Sequence, residues 1–223
     1  MGVLSLLLST FYPTYCFLCL KKGSFICSAC LIGLEFYQKP CCPVCKGVLR
    51  SKCKFIHTIC KKHSYLDGLF PVVHYDKKAK LILKEAKYHF VSKALGDIAY
   101  LMKNKYSNFP FAVDYVVPVP LSRERLNWRG YNQAGILAKI INWQSKNVLK
   151  KETHTHAQAK LKRWERLGNL KNSFCIDKNF DVKGKVIVLV DDVTTTQATL
   201  QECACVLKNA GAKNVYGLVW AKD

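Results

Sequence analysis

Five apolar residues, Val186 to Val190, run without alternation into Asp191 and Asp192. The run is β-branched and lacks period-2 patterning, which predicts a central strand of a parallel sheet buried on both faces. Val193, Thr194, Thr195, Thr196, Gln197, Ala198 and Thr199 follow. Leu200, Cys203, Ala204 and Leu207 then recur at helical spacing, and Gly211 predicts the stop. Elsewhere the pattern predicts a strand over Phe70 to Tyr75 and an amphipathic helix with Ala79, Ile82, Leu83, Ala86 and Phe90 inward. A strand from Val113 must end at Pro118, because proline cannot donate to a ladder. A helix begins near Gln133 and carries Ala134, Leu137, Ala138 and Ile141. A short strand covers Asn172 to Ile176, and a last strand covers Asn214 to Ala221. Strands alternating with helices make this an α/β chain with a mostly parallel sheet flanked by helices.

The order strand, two carboxylates, hydroxyl-rich turn, helix has a chemical meaning. Ligands of parallel sheets bind at the carboxyl ends of the strands. A helix start offers free N–H groups and a positive dipole end, which hold phosphate. Adjacent carboxylates repel that phosphate but accept from sugar hydroxyls or contact Mg²⁺. A phosphorylated ribose suits both halves; the plainer reading is a pair of helix-capping Asp. The stretch resembles the phosphoribosyl pyrophosphate (PRPP) signature of type I phosphoribosyltransferases, with Gln197 where that signature usually has Gly. Glycine there lets the backbone approach the 5′-phosphate and take unusual dihedrals.

Charge and cysteine change the picture at the other end of the chain. Lys+Arg number 35 against 15 acids, a net charge of +20 over 223 residues. That excess suits a polyanionic partner, nucleic acid or an anionic membrane face. The apolar start, Met1 to Thr10, lacks a basic leader and is too short to span a bilayer. It packs on its own domain or inserts shallowly into a membrane. Nine of the twelve Cys fall within residues 16–63. Cys16-x2-Cys19 and Cys27-x2-Cys30 lie seven residues apart and form one structural zinc site, since a Cys-x-x-Cys turn supplies two tetrahedral ligands from one bend. Cys42-x2-Cys45 starts a second site, with Cys60 and His63 as its expected partners. Cys41 and Cys53 are spare, and a disulfide between spare Cys is the competing reading. The residues from Lys46 to His63 include no acid, which suits either a nucleic-acid contact or a solvated face.

Lys77, Lys80, Lys84 and Lys87 form a stripe that could meet a phosphate backbone or only water. Arg123, Arg125 and Arg129, with Trp128 and Tyr131 among them, could grip phosphates and stack bases. Residues 146–171 hold eight Lys/Arg, among them Lys162, Arg163 and Arg166, and read as a basic flap over the carboxyl edge of the sheet. Expected domains are a zinc-binding module over 1–65 and the α/β domain over 66–223.

The Cys-x-x-Cys array, Val117-Pro118-Val119-Pro120-Leu121 with Arg125, Arg129-Gly130-x-Asn132-Gln133 and the Asp-Asp-Thr stretch occur together. Gln158-x-x-Leu161 and Arg166-x-x-Asn169-x-x-x-x-Phe174 also fit. Jointly the chain resembles the ComF family of competence proteins, which joins a double zinc ribbon to a type I phosphoribosyltransferase-like domain. Cys60 and His63 depart from that family's usual fourth Cys pair.

The resemblance implies cytoplasmic handling of incoming single-stranded DNA at the inner face of the inner membrane. It also implies peripheral membrane association, a helicase-like competence partner and recombination mediators. By position, Asp191 and Asp192 would hold ribose hydroxyls and Thr194 to Thr199 would wrap the 5′-phosphate. Val119, Pro120, Leu121 and Arg129 would face the pyrophosphate, with Mg²⁺ bridging. Two other readings stay open: a working phosphoribosyltransferase, although no acceptor-base signature is found, and a PRPP-sensing regulator.

Overall fold

The computed structural model describes residues 13–47, 49, 55–88, 92–107, 109–142, 145–151 and 173–223. Four parallel strands form the central sheet: β1 (Gly68–His74), β2 (Tyr115–Pro118), β5 (Val186–Thr194) and β6 (Asn214–Lys222), in the order β1-β6-β5-β2. A second sheet pairs β3 (Leu149–Lys151) antiparallel with β4 (Phe174–Ile176). The helices are α1 (Ser28–Ile32), α2 (Lys77–Tyr88), α3 (Ser92–Lys105), α4 (Arg123–Arg129), α5 (Gln133–Ile141) and α6 (Ala198–Asn209).

The unalternating run of β5 has the predicted consequence. Val188 and Val190 pack into one core layer, with Ala79, Ile82 and Ala86 of α2, Leu95, Ile98 and Met102 of α3 and Leu137 of α5. Ile187 and Leu189 pack into the other, with Leu200, Cys203, Ala204 and Leu207 of α6 and Phe174 of β4. Each layer is apolar, so β5 sits where both its faces leave water. The helix after it ends as expected, with Gly211 in the left-handed region at φ +92°.

The N-terminal segment closes the free edge of β1. Phe36 bridges Val73 and Cys41 bridges Leu69, both antiparallel. The Tyr37 N–H donates to the Val72 carbonyl at 3.0 Å, the Cys41 N–H to Leu69 at 2.9 Å and the His74 N–H to Glu35 at 2.8 Å. An open edge strand would template pairing with another chain, and these bonds use up its donors and acceptors. Lys105 at the end of α3 donates to the Tyr37 carbonyl and ties the segment from the helix side.

Two expectations need amendment. The apolar pattern predicts no helix between Ser122 and Gln133, yet α4 forms there. Ser122 caps its start by accepting from the Arg125 N–H, and Gly130 at φ +75° closes it. Part of the basic stretch at 146–171 is ordered strand (β3). Met1 to Thr10, Cys53, Phe90, Lys162, Arg163 and Arg166 lie outside the described residues.

Gly68 is where the second cysteine segment meets the sheet. A Cβ there would collide with the Phe55 Cβ and lie 3.2 Å from the Tyr216 ring. Phe55 is buried in an aromatic cluster with Phe70, Phe111 and Tyr216 and cannot retreat cheaply. Gly68→Ala should therefore cost about 1–3 kcal/mol of stability by overpacking, read by thermal or denaturant unfolding.

Candidate metal centres and phosphosugar cleft

Cys16, Cys19, Cys27 and Cys30 bring their sulfurs within 4.8 Å of one another, and so do the ligand atoms of Cys42, Cys45, His57 and Cys60. Each cluster opens with the same knuckle. The N–H of Leu20 donates to the Cys16 carbonyl at 2.9 Å, and that of Lys46 to Cys42 at 3.1 Å. Leu20 and Lys46 both take the left-handed conformation, at φ 60° and 58°. The shared turn aims two sulfurs at one point from a four-residue span.

The donor sets fit zinc, as Cys₄ and Cys₃His. Burial pushes the Cys16 thiol up, but N–H groups of Cys27, Leu18 and Cys19 outweigh it and bring the thiol down to about 6. Cys30, facing Cys19, Cys27 and Cys16, is pushed up to about 12. Burial, opposed by N–H groups of His57, Cys45 and Val44, leaves Cys42 at about 6, while burial and its neighbouring thiols raise Cys60 to about 11. Four converging sulfurs cannot all ionise alone, and a divalent cation removes that obstacle.

The second ligand set corrects the expectation. His57, not His63, completes it: the His57 Nδ1 lies 3.2 Å from the Cys45 Sγ, whereas His63 ends a short 3₁₀ turn outside the cluster. A Cys-x2-His spacing suggests His63. His57 has the same two-residue separation from Cys60 on its other side, and the chain bends so that His57 and Cys60 join Cys42 and Cys45.

The cleft lies between the carboxyl ends of β2 and β5. Pro118 pairs with Val190, and the Val119 N–H donates to the Val190 carbonyl at 2.9 Å. Beyond this point the two chains diverge and leave a cavity of about 230 Å³. One wall is Val119, Pro120, Leu121 and Ser122; Arg125, Arg129, Asn132 and Gln133 come from α4 and the start of α5. Asp191, Asp192, Val193 and Thr199 form the opposite side, with Lys87 and Lys151 at the margins.

The Lys87 ammonium lies 2.8 Å from an Asp192 carboxylate oxygen. Burial raises the Asp191 pKa well above the usual carboxylate range, and the charge of Asp192 adds to the rise. The Asp192 N–H that Asp191 accepts, at 2.8 Å, and the Lys87 ammonium pull it back. A carboxylate pair this crowded suits ligands that bring donors or positive charge: sugar hydroxyls or a hydrated divalent cation. Four cationic side chains facing it suit a multiply charged anion.

Gln197 takes the left-handed conformation itself, at φ 63°, as the residue before α6. Its side chain is buried and does not line the cleft. The turn thus keeps the backbone shape that glycine would permit.

No family model matches the chain. Competence protein F of Haemophilus influenzae is 28% identical over 212 residues, which cover 90% of each chain. Competence protein ComFC of Bacillus subtilis is 29% identical, covering 88% of this chain and 83% of its own.

The chain is ComF-like.

The DNA utilization protein YhgH of Salmonella typhi is 27% identical over 93% of this ComF-like chain and 96% of its own. Among solved structures, the allosteric regulatory enzyme of purine biosynthesis overlays 57% of the chain and 25% of itself, at 19% identity and a TM-score of 0.40. A likeness that slight does not bear on function. Among the described residues, no helix is long and apolar enough to cross a membrane.

Of the residues expected at the phosphosugar site of the ComF-like chain, Val119, Pro120, Leu121, Arg129, Asp191, Asp192, Val193 and Thr199 line one cleft. Thr194 is buried in β5, Thr195 and Thr196 are exposed on the turn, and Ala198 opens α6. Of the residues expected at nucleic acid, Arg125 joins that cleft. Arg123 and Trp128 face outward on α4, with the Arg129 guanidinium 5.8 Å from the Trp128 ring centre. Asn132 and Gln133, which the sequence offers only as part of the Arg129-Gly130-x-Asn132-Gln133 motif, Lys151 of the basic stretch, and Lys87 also join the cleft. Spacing alone groups Lys87 with an exposed stripe, and its half-burial distinguishes it from exposed Lys77, Lys80 and Lys84.

The metal assignment has a direct check. His57→Ala should lower bound zinc from about two to about one per chain, and His63→Ala should leave both, as read by metal analysis of the purified protein. Retention of both ions in His57→Ala would overturn the assignment.

Proposed function

We propose that this ComF-like protein binds single-stranded DNA during DNA uptake and carries a PRPP site at the carboxyl end of its sheet. The observation that carries the reading is the cleft itself, where two adjacent carboxylates face Lys87, Arg125, Arg129 and Lys151. PRPP has that same division, a diol beside a pyrophosphate. Asp191 and Asp192 would take the ribose hydroxyls. The Thr194 to Thr199 turn and the first N–H groups of α6 would take the 5′-phosphate. Arg129 and the Val119 to Leu121 wall would face the pyrophosphate. Mg²⁺, when bound, would supply positive charge between pyrophosphate and ribose.

DNA would lie across α4, held by Arg123, Arg125 and Arg129, with Trp128 as a stacking platform. Trp128 is 68% exposed, which suits that role. The net charge of +20 supplies attraction over longer range. Similarity to competence and DNA utilization proteins supports the same setting. Work at the inner face of the membrane, beside a helicase-like partner and recombination mediators, belongs to this proposal. An enzymatic phosphoribosyl transfer is the second reading, favoured by the intact Asp-Asp-Thr turn.

Replacing Arg123, Arg125 and Arg129 together by Ala should weaken single-stranded DNA binding. It should also flatten its salt dependence by about 0.7 for each phosphate no longer neutralised, read by fluorescence anisotropy across a salt series. Asp191→Ala should abolish PRPP binding and leave DNA affinity unchanged. DNA affinity that ignores the arginines, or falls with Asp191→Ala, would contradict the reading.

A further inference from the structure

The geometry points to Gln133 as a pyrophosphate-reading residue of the cleft: its side-chain amide N–H donates to a pyrophosphate oxygen of the bound ligand. The inference rests on the phosphosugar reading above and adds to it a residue with a stated specificity.

Gln133 opens α5 and is 2% exposed, yet its Nε2 has no hydrogen-bond partner. A buried amide donor left unpaired costs about 1–3 kcal/mol, so such groups are normally satisfied. This one belongs to a residue that lines the cleft. Its orientation is set by a neighbour that can only donate: the Arg129 Nη1 gives a hydrogen bond of 3.3 Å to the Gln133 Oε1. With the oxygen committed to the guanidinium, the N–H₂ is the end left over, and it requires an acceptor. Arg129 and Arg125 beside it make an anionic acceptor the favourable one.

The backbone around Gln133 is braced for this. The Asn132 Nδ2 donates to the Val119 carbonyl at 2.9 Å, which joins the start of α5 to the Val119 to Leu121 wall. The Tyr131 hydroxyl donates to the carbonyls of Ala86 and Lys87 at 3.4 Å and fixes the same turn to the end of α2. The Asn132 Oδ1 is also buried without a partner, but as an acceptor it is mismatched to an anion. The selectivity therefore falls to Gln133.

Gln133→Met keeps the length and apolar volume and removes the donor together with the oxygen that accepts from Arg129, whereas Gln133→Glu keeps that acceptor and removes only the donor. Binding by Gln133→Met is measured by calorimetry against PRPP, inorganic pyrophosphate and ribose 5-phosphate, each with Mg²⁺, beside wild-type protein and thermal unfolding of both. The dissociation constants for PRPP and pyrophosphate should rise about 10- to 100-fold, with that for ribose 5-phosphate unchanged. The melting temperature should change little, because removal of the unpaired buried donor offsets the loss of the 3.3 Å hydrogen bond from Arg129. Gln133→Glu, which places a negative charge there, should lose pyrophosphate affinity further. Equal losses for all three ligands, or no loss, in Gln133→Met would overturn the inference and leave the cleft assignment standing. Wild-type protein that binds none of the three would overturn the cleft assignment itself.

Discussion

A strand buried on both faces can offer polar groups only at its ends, and that constraint shapes this molecule. β5 gives Val188 and Val190 to one core layer and Ile187 and Leu189 to the other. Its chemistry is therefore concentrated where it leaves the sheet, at Asp191, Asp192 and the turn beyond. Divergence from β2 at that same level opens the cleft, and the start of α6 adds N–H groups to it. Charge does the rest. Two carboxylates cannot share a half-buried site without cations, and Lys87 reaches in from α2 to meet Asp192.

The N-terminal cysteine segment has a structural task besides offering two sets of metal ligands. Its backbone covers the outer edge of β1, and Phe55 from the second cysteine region packs over Gly68. A module of this size has little apolar core of its own, and zinc held by the two ligand sets would cross-link it into a fixed shape to offer the sheet. Metal binding would thereby be coupled to edge protection through residues 35–41 and Phe55.

β5 and α6 are readable in the sequence because burial on two faces and on one helical face leaves distinct periods. The first zinc set is readable because both halves are tight Cys-x-x-Cys turns. The helix α4 is not: Arg123 to Arg129 buries no residue, so it carries no apolar stripe, and only Ser122 and Gly130 mark its ends. His57 escapes notice although it stands as far before Cys60 as His63 stands after it; spacing cannot choose between them, and the deciding fact is which way the chain bends at Cys60. Lys87 belongs to the cleft through tertiary placement alone, and Gln133, although within the Arg129-Gly130-x-Asn132-Gln133 motif, has no role assigned to it by spacing. A lysine at stripe spacing and a glutamine at a helix start carry no local signal of a charged pocket.

In the proposed function, one cleft serves the phosphosugar while its arginine lip also serves DNA. Arg125 and Arg129 line the cavity that Asp191 and Asp192 close. The decisive experiment is calorimetric titration of PRPP with Mg²⁺ into wild-type protein, alone and with saturating single-stranded oligonucleotide. The oligonucleotide should weaken PRPP binding, because both ligands draw on the same guanidinium groups. PRPP affinity that is unchanged by DNA, or absent altogether, would contradict the shared lip.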